Sequence, residues 1–253
     1  TIPECVVVSI NDSSAIFSVP TDTKYAIYPY DASQSFDVET EKISHSLVST
    51  FTLDGSKRVF DDNQNVMVAH LSGENLPFKH LCGYIEIKLT GSQVVKHIAL
   101  RNNAKNWDAL SGLGTIDISN PDEPKITTGT NQSTTFNYIY AGCSDVQLSG
   151  EATSFYFIVP PRTYEDLSIC VQTDKGSYSI ASKNAITVNR AKIRPLAAIN
   201  IDALATATTT DLSATEVSNC YVVPQSSEAG YYSFPARKIN GTATLEGAAY
   251  AHL

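Results

Sequence analysis

Short runs that alternate apolar and polar residues, broken by Gly, Pro, Asn and Asp, fill the chain from Leu76 to Asn200. Tyr84-Ile85-Glu86-Ile87-Lys88-Leu89-Thr90 and Phe155-Tyr156-Phe157-Ile158-Val159 are the clearest of them. Side chains on a strand point alternately to its two faces, so a period of two marks antiparallel sheets that each bury one face. The pattern predicts an all-β protein made of β-sandwiches. No helix of ordinary length is visible, and the best helical segment, Ala203 to Thr210, is a Thr-rich run of small residues. Such an architecture carries its chemistry on loops and edges.

Turn chemistry sets the expected divisions. Cys5 to Ile10 and Ala15 to Val19 flank Asn11-Asp12-Ser13-Ser14 and read as a hairpin. Lys24 to Tyr30 is a strand that Pro29, lacking an N–H, should close or hold at an edge. Phe36 to Lys42 reads as a loop, Val48 to Leu53 and Val66 to Leu71 as strands. Ser72-Gly73-Glu74-Asn75 then marks a boundary. The expected domains are an N-terminal β-sandwich over 1–75, a second over 76–203, and a linker with a C-terminal β module over 204–253. In the second block, Phe78 to Leu89 and Val94 to Leu100 read as adjacent strands across Thr90-Gly91-Ser92. Asn102 to Gly114 is a polar stretch around Trp107, and Asn120-Pro121-Asp122-Glu123-Pro124 ends a strand at Thr115 to Ser119. Thr173-Asp174-Lys175-Gly176 joins a further hairpin. Asn219 to Val223 and Tyr231 to Pro235 are the strands of the tail, which at about 40 residues makes a poor core alone.

Composition removes several functions. A net charge of −8, with 18 Lys and Arg that never gather into a run, works against contact with phosphate backbones, so no nucleic-acid partner is expected. No stretch approaches the roughly 20 apolar residues that span a bilayer, and the N-terminus lacks a basic-then-apolar layout, so the chain reads as soluble and already processed. Cys5, Cys82, Cys143, Cys170 and Cys220 stand far apart without a C-x-x-C pair. They read as buried small hydrophobes, with one bridge or a reactive thiol as the alternatives.

The candidates for chemistry each meet a plainer explanation. His45, His70, His80, His97 and His252 show no H-x-x-x-H and no neighbouring nucleophile motif. Asp61-Asp62-Asn63-Gln64-Asn65 begins like a calcium loop, but Val66 stands where the glycine turn belongs and Ser72 where a bidentate Glu should close the site. Asn120 to Glu123 offers too few oxygens. Gly112-Leu113-Gly114 lacks the third glycine of a phosphate cradle. Glu165-Asp166 leaves a glycosidase pair conceivable. Tyr25, Tyr28, Tyr30 and Trp107 form either an aromatic platform for a sugar or ordinary strand packing. No catalytic, cofactor-binding or metal-binding residue is assigned, and no cofactor is expected.

In order and spacing, several segments resemble the fimbrillin-like (Mfa-like) surface proteins of Bacteroidales over most of residues 16 to 200. They are Tyr25-Ala26-Ile27-Tyr28-Pro29-Tyr30, Asn65-Val66-Met67-Val68-Ala69, Leu76 to Ile87, Val95-Lys96-His97-Ile98-Ala99-Leu100, Phe155 to Pro161, and Val188-Asn189-Arg190-Ala191-Lys192-Ile193. Asp211-Leu212-Ser213-Ala214, Ser218 to Val223 and Tyr232-Ser233-Phe234-Pro235 look similar to a module that follows such domains. The resemblance implies tandem transthyretin-like β-sandwiches in a secreted, usually lipid-anchored subunit at the outer membrane, built into a fimbria or displayed as an accessory or tip adhesin. It implies no catalytic residues. It also implies partners joined by strand exchange, in which one subunit's segment completes a sheet of the next. A surface glycan- or host-ligand-binding module is the alternative. The chain departs from the family in its short N-terminal domain, which starts at a strand without a leading segment or lipid-attachment cysteine, and in its C-terminal extension. Both departures suggest a fragment or an atypical accessory member.

Overall fold

The computed structural model describes residues 6–10, 15–31, 33–53, 64–104, 109–131, 133–182, 184–204, 236–239 and 242–245. The protein is all-β. Helical structure among the described residues is confined to 3-10 turns, one of them Ile201–Ala203. The first block contains β1 (Val6–Ile10), β2 (Ala15–Ser18), β3 (Tyr25–Tyr28), β4 (Ser35–Asp37), β5 (Lys42–Leu47), β6 (Thr50–Thr52) and β7 (Met67–His70). There follow β8 (Lys79–His80), β9 (Gly83–Thr90), β10 (Val94–Asn102), β11 (Ser111–Asp117), β12 (Lys125–Thr128), β13 (Thr135–Phe136) and β14 (Tyr138–Gln147). The rest are β15 (Thr153–Val159), β16 (Arg162–Tyr164), β17 (Leu167–Thr173), β18 (Ser177–Ala181), β19 (Ile186–Val188), β20 (Ile193–Pro195), β21 (Ile199–Asn200), β22 (Ala236–Ile239) and β23 (Thr242–Leu245).

Two sheets make the larger sandwich. One runs in the order β18-β17-β10-β14-β6; the other places β9 between β15 and the short parallel strands β20 and β21. The alternation in β9 explains the packing. Ile85, Ile87 and Leu89 are fully buried on its inner face, and their neighbours on β15, Phe155, Phe157 and Val159, are fully buried beside them. Ile98 and Leu100 of β10, Ile139 and Ala141 of β14, and Ile169 and Val171 of β17 close the core from the opposite sheet. Each such side chain contributes roughly 1.5–3 kcal/mol on leaving water, which makes this cluster the main stabilising element.

A second core lies against sheets β12-β11-β5-β4 and β3-β7-β8. Ile43 and Leu47 of β5, Val68 of β7, Ile116 of β11 and Ile126 of β12 are its buried members. Ile158 and Tyr84 also reach it, from the face of β15 and β9 that points away from the larger core. The β9 sheet thus has apolar packing on both sides at this end.

The hairpin of β1 and β2 and the β17–β18 hairpin form where turn chemistry places them. Three strand expectations are corrected. The loop expected over 36–42 shrinks to a turn at 38–41, because Phe36 and Asp37 end β4 and Lys42 starts β5, which pair antiparallel. The signal was hidden by polar residues on β5, where His45 is buried in line with Ile43 and Leu47. Strands β9 and β10 are not sheet neighbours: β9 pairs with β15, β20 and β21, while β10 pairs with β14 and β17. A Gly-Ser connection serves a hairpin and a crossing between layers equally well, and burial of both inner faces selects the crossing. Finally, β11 begins at Ser111, inside the stretch read as polar connection.

Strand pairing also runs across residue 75. Strand β5 lies antiparallel to β11, and β6 lies parallel to β14, so strands from both blocks share sheets. In the tail, β22 and β23 pair with each other. The strands expected at 219–223 and 231–235 lie outside the described residues.

Candidate functional site: an open strand edge

The two sides of the larger sandwich are finished differently. On one side β6 is inserted beside β14, Leu53 is 1% exposed, and the Phe51 ring packs 5.9 Å from that of Phe157. On the other, β18 ends one sheet and β20–β21 end the other, with no ladder between them among the described residues. An apolar groove of about 310 Å³ remains there, lined by Leu100, Leu167, Ile169, Ile180, Ile186 and Leu196 among others.

Local sequence explains how the groove is framed. Strand β17 turns Leu167, Ile169 and Val171 inward, and β18 follows with Tyr178 and the half-buried Ile180. Gln93 anchors this corner from the core: its Oε1 accepts from Thr173 Oγ1 at 2.6 Å and from Tyr178 OH at 2.9 Å, and its Nε2 donates to Asp202 Oδ1 at 2.9 Å. Opposite, Leu196 N donates to Glu86 O at 2.9 Å and holds the chain between β20 and β21 along β9. Every residue of β20 is exposed, with Ile193 at 56%. The two edges differ in chemistry. Arg194 and Pro195 give β20 the charge and missing donor that discourage further pairing, whereas β18, Ser-Tyr-Ser-Ile-Ala, has neither charge nor proline. A second opening of about 430 Å³ separates β19 from β20.

The residues singled out by sequence do not gather there. His45 is buried with Gln34 Nε2 2.8 Å from its Nδ1, and His70 stands edge-on to Tyr25 at 5.1 Å. His80 Nδ1 lies 3.1 Å from Asn65 Oδ1, to which Tyr84 OH also donates, at 2.8 Å. His97 stacks on Tyr140 at 5.1 Å with its Nδ1 buried and without a hydrogen-bond partner, and burial holds its pKa below the usual histidine value. His252, Trp107 and Asp61 to Asn63 lie outside the described residues. Among the described residues no group of three or more His, Cys, Asp or Glu is placed to hold a metal ion.

The turn at 120–123 is tied down by its own bonds, Asp122 N to Asn120 Oδ1 at 3.0 Å, and by Lys79 Nζ, which donates to Pro121 O at 2.9 Å. Glu165 and Asp166 are both exposed, and Asp166 O accepts from Asn103 N at 2.8 Å. Of the tyrosines, Tyr25 is committed to packing: its OH donates to Glu41 Oε1 at 2.6 Å, the bond that chiefly raises its pKa, and its ring meets Phe36 edge-on. Tyr28 and Tyr30 are 38% and 54% exposed.

The cysteines divide into two kinds. Cys170, on the outer face of β17, is disulfide-bonded. Cys82 and Cys143 are free thiols, fully buried, and burial pushes each pKa up to about 12. Thiolate is the reactive form. Neither Cys82 nor Cys143 is therefore expected to take up iodoacetamide in the folded protein, and both should do so in denaturant. Peptide mapping by mass spectrometry checks this, and labelling of either under native conditions would contradict the packing.

No family model matches this chain, and no curated protein matches it. Several solved structures are similar to it, two Bacteroides proteins among them. One is a candidate cell adhesion protein from Bacteroides ovatus ATCC 8483, at 14% identity and a TM-score of 0.46, over 72% of this chain and 63% of that one. The chain thus spans less than two thirds of that protein's length. The other is a candidate cell adhesion protein from Bacteroides uniformis ATCC 8492, at 12% identity and a TM-score of 0.41, over 77% of this chain and 75% of that one.

Proposed function

We propose that this chain is a non-catalytic cell-surface protein of fimbrial-subunit or adhesin type, and that it joins its partners by accepting an extended strand along the edge of β18. The open groove carries the reading. It combines an apolar floor from Leu100, Leu167, Ile169 and Ile180 with an edge strand free of charge and proline. A strand added there would pair its main chain with β18 and send alternate side chains into the groove, the arrangement that supplies both affinity and register in strand addition. The disulfide at Cys170 supports an exported chain, since such bonds persist in oxidising compartments. The sequence resemblance supports placement in a fimbria at the outer membrane, with other subunits as partners.

Ile180→Lys tests the reading. Ile180 is half-buried at the groove rim, so a lysine there can keep its ammonium in water while its stem obstructs an incoming strand. The expected result is loss of incorporation into surface fibres in the producing cell, with a far-UV circular dichroism spectrum and melting curve close to those of the unsubstituted protein. Fibres that form normally with folded Ile180→Lys would remove the β18 edge as the joining surface.

A further inference from the structure

The smaller sandwich has an opening of its own, of different character. Beyond the end of β3, Pro29, Tyr30 and Asp31 wall a cleft of about 350 Å³ whose other side comes from the end of β5, His45 to Val48, with Gln64 completing it. The size lies at the lower end of the range for small-molecule sites. Tyr30 and Val48, 54% and 45% exposed, give it an aromatic and an aliphatic wall.

Its polar groups are held in fixed roles. Asp31 Oδ1 accepts from Ser33 N at 2.8 Å, the bond that chiefly holds its carboxyl below the usual range, so the group is ionised at neutral pH. The Ser33 side chain also hydrogen-bonds this carboxyl, and the exposed carboxylate keeps lone pairs that a guest hydroxyl can reach. His45 is only 7% exposed. Gln34 Nε2 donates to Pro29 O at 3.1 Å and lies 2.8 Å from His45 Nδ1, while Gln34 Oε1 accepts from Asp31 N at 3.3 Å. A backbone carbonyl can only accept, so the nitrogen end of this amide is identified, and its second hydrogen meets Nδ1. Nδ1 must then be the accepting nitrogen and Nε2 must carry the proton. Burial lowers the pKa of His45 and keeps the ring neutral. The Nε2–H has no partner among the described residues, which leaves the cleft one neutral donor. The Gln64 amide oxygen is buried with no hydrogen-bond partner among the described residues, a further acceptor at the cleft.

A fitting guest has an apolar face to lie on Tyr30, a hydroxyl that donates to Asp31, and an oxygen that accepts from His45. No basic side chain lines the cleft, so an anion gains nothing there. A cation would suit Asp31 but would oppose the His45 N–H. We infer that this cleft binds a neutral sugar ring, which presents a C–H face and a rim of hydroxyls that each donate and accept. The inference extends the adhesin side of the proposed function but uses none of the residues of the β18 groove.

The test is saturation-transfer NMR on the full chain with free D-glucose, D-galactose, D-mannose, L-fucose and N-acetyl-D-glucosamine as probes. N-acetylneuraminic acid serves as the anion and choline as the cation. At least one neutral sugar should bind in the millimolar range, and Tyr30→Ala and Asp31→Asn should each weaken it by about tenfold or more. Both positions are exposed, and Asn retains the turn to Ser33, so melting temperatures should hold. Three results would overturn the inference: no transfer to any neutral sugar, transfer that survives both substitutions, or stronger binding of choline or of N-acetylneuraminic acid. Ile180→Lys leaves the sugar signal unchanged, so failure of the assembly reading and failure of this one are separable.

Discussion

Phe157→Ala should lower the free energy of unfolding by about 3–5 kcal/mol, the cost of removing a buried aromatic ring and leaving part of its space unfilled. Phe157 is fully buried on β15, packs among Ile85, Ile87 and Leu100 in the larger core, and meets the Phe51 ring from β6. The substitution therefore removes both the centre of the core and the ring that fastens a strand from the N-terminal block. Urea denaturation followed by tyrosine fluorescence measures the loss. Because β5 and β6 share sheets with β11 and β14, one transition is expected for both sandwiches. A Phe157→Ala protein with an unchanged urea midpoint would mean that β6 and β15 do not meet as described.

Gly112→Ala is expected to cost about 2–6 kcal/mol, from two separate sources. Gly112 has φ of +90°, a conformation that costs a side-chain-bearing residue roughly 1–3 kcal/mol. A Cβ there would also overlap the backbone at Thr134 O and, at 2.6 Å, Thr135 Cα, and such overpacking adds typically 1–3 kcal/mol. Neither contact can yield cheaply, because Thr135 is fully buried and β13 pairs with β11 at this point. Gly150→Ala is the matched control, since nothing lies within 4 Å of a Cβ at that position. Comparable melting temperatures for the two variants would refute the close approach of β13.

Gly112 also illustrates what a sequence displays and what it conceals. Gly112-Leu113-Gly114 invited comparison with a phosphate cradle and failed on the missing third glycine; its actual use, admitting β13 and β12 against the β11 backbone, depends on residues 13 or more positions away. Strand β9 is legible because its buried and half-buried residues alternate, so its side chains carry the period of two, while β15 and β17 are legible as short apolar-rich runs. Strand β5 is not, because His45 is buried as a hydrogen-bonded polar group in an apolar row. The layer change between β9 and β10 left no local mark. For the same reason neither the groove nor the cleft could be read in advance. Ile180 and Leu196 look like ordinary strand residues until β18 and β20 are seen to end different sheets. The sequence displays Tyr30 as an aromatic, but its company of Asp31, Gln34 and His45 is assembled by the pairing of β4 with β5.

The parallel placement of β6 beside β14 has a temporal corollary. A strand whose hydrogen-bonding neighbour is synthesised much later must wait, exposed, until that neighbour emerges, and such long-range pairing slows folding while lengthening exposure to aggregation. Folding of this chain therefore cannot keep step with the order of its synthesis. Strand β6 is committed only once β14 is available, and Phe51 and Leu53 stay exposed in the interval.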